Sequence, residues 1–161
     1  MSNKNHIAYG VTAALIQFVL SLVFYFTKLN QERWTGFLSL AILMIAVILS
    51  CINYGKTNPG QTFGNIFANG FKTTAVITVI GLVLTVIFIL IFPDIKEQGL
   101  EAARAQMEAD GKMTAEQIDG IIEKTDKSFW VLTFSGVIIG SLIFGLVASL
   151  IGAAVAPKAK K

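Results

Sequence analysis

The chain has 161 residues, of which 54% are hydrophobic and 14% charged, with a formal net charge of +3. About 25% charged is usual for a soluble domain, so this composition excludes an ordinary water-soluble surface. Nine of the ten acids fall between Asp94 and Asp126, and the remaining bases sit near the ends of apolar stretches, so no basic face is left to read a nucleic acid.

The first element is Ile7–Thr27, which holds no Asp, Glu, Lys, Arg or His. The hydrocarbon core of a bilayer is roughly 30 Å thick and takes about 20 helical residues, so this stretch is long enough to cross it. It is too long for the core of a signal peptide and reads as a retained first span. The same reading applies to three further stretches, giving spans at about 7–27, 34–53, 72–92 and 129–156 in a single membrane domain, 1–161. The expected fold is therefore all-α: a polytopic membrane protein with a four-transmembrane-helix bundle.

Lys28–Arg33 joins spans one and two tightly enough to make an antiparallel hairpin. Asn58-Pro59-Gly60 marks a turn before span three. Phe63, Ile66, Phe67, Gly70 and Phe71 then recur at helical spacing. They fit either an amphipathic helix lying in the interface or an early start of span three.

Residues 94–127 form the one sizeable polar segment, expected as a small extramembrane helical hairpin between the third and fourth spanning helices. Asp110-Gly111 can end its first helix. Thr114-Ala115-Glu116-Gln117 reads as a capping box opening the second, which is expected to run on into span four.

All Tyr and Trp residues (Tyr9, Tyr25, Trp34, Tyr54 and Trp130) lie at span ends, as interface anchors do. An even number of spans puts both termini on one side. That side carries Lys4, Lys56, Lys72, Lys158, Lys160 and Lys161 with no accompanying acid, so it is expected to be cytoplasmic and the 94–127 loop periplasmic. Lys158, Lys160 and Lys161 would meet anionic lipid headgroups.

Chemistry-bearing groups are sparse. His6 is the one histidine and Cys51 the one cysteine, and no spacing suits a metal set or a nucleophile with its base. Gly55-Lys56-Thr57 lacks the first glycine and the strand of a phosphate loop. No catalytic residue, metal ligand or cofactor site is assigned. Two features remain. Small residues recur four apart along span four at Gly136 and Gly140, then Ser141, Gly145, Ser149 and Ala153, a stripe against which another helix can pack closely. Gln17 is the most polar side chain in mid-membrane and needs a partner, with Thr74, Thr78, Thr85 and Ser21 as candidates.

The Tyr54-Gly55-Lys56 exit from span two, Gly60-Gln61-Thr62-Phe63-Gly64, Gly70-Phe71, Phe92-Pro93-Asp94 and the acidic loop before span four carry a resemblance over nearly the whole chain. They resemble a family of small four-span bacterial membrane proteins found mainly in Bacteroidota, the domain-of-unknown-function family 4199. The resemblance implies a bacterial inner membrane and a four-helix fold, and brings no catalytic residue with it. The function expected is that of a non-enzymatic integral membrane protein. It would be an accessory or scaffold subunit of a membrane complex, or a homo-oligomer associating through span four. The alternative is a small transporter or channel for an uncharged or lipidic substrate. The expected partners are the lipid bilayer and a membrane protein or second copy.

Overall fold

The computed structural model describes residues 4–30 and 32–157 of the chain. Lys158, Lys160 and Lys161, expected at lipid headgroups, lie outside the described residues. The described chain is all helix and turn: α1 (Asn5–Phe26), α2 (Arg33–Thr57), α3 (Phe63–Ile91), α4 (Asp94–Asp110), α5 (Ala115–Lys127) and α6 (Phe129–Val155). Among the described residues, four helices are long and apolar enough to cross a membrane: α1, α2, α3 and α6. Phe37 and Leu90 are about as exposed as Phe26, at 72%, 70% and 71%. Water would oppose that, whereas lipid chains accept it.

Phe63–Phe71 resolves as the first turns of one continuous α3. Thr62 caps that helix by accepting from the Asn65 N–H. At 1.5 Å per residue the 29 residues of α3 reach about 44 Å, enough for the hydrocarbon and both headgroup layers. The rings of Phe63, Phe67 and Phe71 stack in a ladder up its side, with centroids 6.4 and 6.3 Å apart.

The four long helices form a rhombus. The central pair α2 and α3 touch each other and both flanking helices, α1 and α6. Asn5, Thr57, Phe63 and Val155 mark one end of this bundle (the termini end). Phe26, Arg33, Ile91 and Phe129 mark the other, which carries α4 and α5 (the hairpin end).

The hairpin has the local chemistry expected of it. Gly111 ends α4 with φ 61°, a conformation that glycine adopts without a Cβ penalty. Thr114 and Gln117 form a full capping box at the start of α5. Ile118 of α5 is buried, and Lys96–Asp126 (2.7 Å) and Arg104–Asp119 (2.6 Å) cross between the two helices. Such exposed pairs contribute up to about 1 kcal/mol each. The α5–α6 junction is less continuous than expected, because Ser128 leaves helical geometry at φ −102°, ψ 11°. Hydrogen bonding still crosses it, from Ser128 N–H to Lys124 and from Leu132 N–H to Ser128.

Candidate functional site: a polar-lined cleft at the hairpin end

The small-residue stripe of α6 divides in two. A Cβ built on Gly145 would run into the Thr74 side chain, whose own Cβ lies 2.8 Å away. One on Gly152 would lie 2.7 Å from Cys51 Cβ. Gly145, Ser149 and Ala153 are buried, and across the junction Gly70 of α3 faces both Cys51 and Ser149. In this half the absent side chains let three backbones meet. Gly136 and Gly140 behave differently, because a Cβ on either would meet nothing within 4 Å. The stripe therefore does not meet one neighbour along its whole length. The half towards the termini packs within the chain, and the half towards the hairpin stands off.

Where the helices stand off lies a cleft of about 320 Å³, lined by all four long helices. Its walls include Gly36, Gly81, Gly136 and Gly140, none of which has a neighbour within 4 Å of a built Cβ. These glycines leave space rather than permit contact. Phe18, Leu84, Phe88 and Val137 give the cleft an apolar wall, and among the described residues lining it none is charged. Towards the termini the floor is tight, with Ala13, Leu43, Val47, Ile77 and Ala148 packed together. Towards the hairpin a second cavity of about 400 Å³ adjoins it, sharing Ser21, Gly36, Ser39 and Phe88 and running beneath Ile95, Gly99 and Ala102 of α4. The cleft is thus blind at one end and opens under α4 at the other.

The polar groups expected in mid-membrane sort themselves here. Gln17, Thr78, Thr85 and Ser141 all line the cleft. Gln17 takes none of the hydroxyl partners suggested for it. Its Nε2 donates to the backbone carbonyl of Ser39, at 2.7 Å. Ser21 and Thr78 donate to the carbonyls four residues back, on Gln17 and Thr74. Thr74 lies below the cleft, buried against Gly145, and donates to the carbonyl of Gly70.

The interface aromatics also hold helices together. Trp34 packs edge-on against Phe24, at 5.5 Å between centroids, whereas Trp130 packs on Phe134 of its own helix, at 5.6 Å. Tyr54 packs on the buried group around Cys51 and Ile66, and Tyr9 is half-buried on α1. Tyr25 does most. Its ring lies 4.3 Å from that of Phe92, and its hydroxyl donates to the Asp94 carboxylate, 3.0 Å from both oxygens. Gln98 donates to Asp94 at 2.6 Å and Asn30 donates to Gln98 at 2.8 Å, so a short chain of side chains seats α4 over the mouth. Tyr25→Phe keeps the ring and removes the bonds to Asp94. Amide exchange over residues 94–98 should then quicken about 3- to 10-fold. Unchanged exchange, followed by mass spectrometry in nanodiscs, would mean other contacts seat α4.

A polar constellation at the termini end was not foreseen. Helix α1 already starts at Asn5, which is buried, so His6 lies within a helix. Asn5 donates to the Ser50 carbonyl at 2.8 Å and accepts from Asn53 at 2.9 Å. Asn69 donates to Ser50 Oγ at 3.0 Å. Thr73 Oγ1 donates to the Asn69 carbonyl, so the 2.7 Å contact between Ser50 and Thr73 has the Ser50 hydroxyl as donor. The available signal was three asparagines at the ends of apolar stretches, an expensive residue to leave unpaired there.

No curated protein and no solved structure matches the chain. The family model described as "Protein of unknown function (DUF4199)" matches residues 8–158, so a helical chain with four membrane-span-like helices and a blind, uncharged cleft belongs to that family.

Proposed function

We propose that this is a non-enzymatic integral membrane protein that takes an uncharged or lipidic ligand into its hairpin-end cleft, as a binding protein or a small transporter. One observation carries the reading: glycines from three helices surround a void of about 320 Å³ without being needed for packing. Protein interiors are normally filled to crystal-like density, so retained space lined by polar atoms is the mark of a site. The volume falls within the range of about 300–1,000 Å³ usual for small-ligand pockets. It is too small for a partner helix, which is about 10 Å across.

Leucine at Gly81 and Gly140 should fill the cleft from two sides. A ligand retained by the wild type in gentle detergent, seen as an added mass by native mass spectrometry, should be lost from this variant. Equal retention in both proteins would sink the reading.

A second reading, the accessory or scaffold subunit or homo-oligomer, is favoured by the position of α6 on a flank of the rhombus with Gly136 exposed. It predicts that the size of the native complex in mild detergent falls on Gly136→Leu. For either reading we place the protein in a bacterial inner membrane, with the termini cytoplasmic and the hairpin periplasmic. The support is the acid-free set of Lys4, Lys56 and Lys72 at the termini end. Alkaline phosphatase fused within 111–113 should be active and a fusion after Lys161 inactive. The reverse result would invert the topology.

A further inference from the structure

Resting on the reading that the cleft takes a ligand, we propose that the ligand is an uncharged amphiphile whose headgroup bears a hydroxyl. The hydrogen-bonding capacity of the wall and its lack of charge decide the class. Ser21 Oγ donates to the Gln17 carbonyl at 3.0 Å, Ser39 Oγ to the Thr35 carbonyl at 3.2 Å, and Thr78 Oγ1 to the Thr74 carbonyl at 2.9 Å. A hydroxyl has one proton and two lone pairs, so each of the three has committed its proton to its own helix and offers the cleft acceptor capacity. Gln17 has likewise committed one amide proton, to Ser39 at 2.7 Å. Thr85 and Ser141, which line the same cleft, make no such bond among the described residues, and Gln17 keeps its second amide proton, so the wall calls for an uncharged group that both donates and accepts.

That requirement separates the candidate headgroups. A carboxylate or phosphate brings only acceptors and a charge, and no lining residue among those described supplies a countercharge. An ammonium group could donate, but it would be buried without a carboxylate beside it. An alcohol donates, accepts and carries no charge. The rest of the wall (Phe18, Leu84, Phe88 and Val137) suits an alkyl chain attached to that headgroup rather than a free polyol.

The test uses the full chain in nanodiscs and two photoactivatable probes of equal chain length, one a monoacylglycerol and one a fatty acid. The monoacylglycerol should label the α1–α2 segment that holds Gln17 and Ser39. Free glycerol should not compete it away, and leucine at both Gly81 and Gly140 should abolish it. Ser39→Ala, which leaves the backbone partner of Gln17 in place, should lower labelling by the neutral probe about fivefold, the value of one hydrogen bond. Equal or stronger labelling of the cleft by the fatty acid would overturn the headgroup class while leaving the cleft a binding site. Competition by glycerol would overturn the amphiphile in favour of a small polyol. Labelling of the cleft by neither probe, with no competition by glycerol, would overturn this inference together with the reading beneath it.

Discussion

Gly145→Leu is expected to prevent stable assembly of the bundle, whereas Gly140→Leu, five residues away on the same helix, leaves stability within about 0.5 kcal/mol of the wild type. At position 145 even a methyl group meets the Thr74 side chain, backed by the α3 helix. Gly145→Ala alone should cost about 1–3 kcal/mol, the usual range for overpacking a tight site. A leucine would have to push α6 off α3, and the contacts of Ser149 with Gly70 and of Gly152 with Cys51 would go with it. At position 140 the added atoms enter the cleft. Thermal unfolding in a mild detergent checks both variants. Similar losses at the two positions would mean that the cleft is closed in the membrane, and a harmless Gly145→Ala would mean that α6 does not seat on α3 as described.

The second large effect is expected at Ser50. This buried hydroxyl joins α2 to α3 through Thr73 and Asn69, and Asn5 of α1 reaches it at 3.3 Å. Ser50→Ala changes shape very little and removes an acceptor from two asparagines and a donor from a threonine. Interhelical hydrogen bonds inside membranes average about 0.6 kcal/mol, with some near 1.7. Leaving a buried polar group unsatisfied costs about 1–3 kcal/mol. A loss of about 2 kcal/mol is therefore expected, against no measurable loss for Ser135→Ala on the exposed face of α6. Asn5→Ala in the Ser50→Ala background should add less than it does alone, because the two act through one network. Full additivity would show that they do not.

These two sites show why the cleft and the floor beneath it serve different purposes. Below it, small side chains and a satisfied polar network draw α1, α2, α3 and α6 together. Above it, equally small residues face a void and the helices are joined through their aromatic ends and through α4.

Much of this was legible before any coordinates. Four long uncharged stretches specify helices, because lipid leaves backbone polar groups no other way to be satisfied and that constraint acts within each segment. The helix stop at Gly111 and the capping box of Thr114 and Gln117 are local as well, written in residues three apart. Gln17 was identified as a group needing a partner, but the acceptor proved to be the Ser39 backbone, which carries no signature in side-chain letters. The network around Ser50 joins positions 45 residues apart, a distance over which periodicity says nothing.

The stripe on α6 states the division most clearly. From Gly136 to Ala153 the chain repeats one message, a small residue at nearly every fourth place, and that repetition assigns the residues to one helix face. It cannot say what stands opposite. Packing answers with Thr74 against Gly145 and with empty space beside Gly140, because whether a missing side chain makes a contact or a cavity depends on the neighbouring helix.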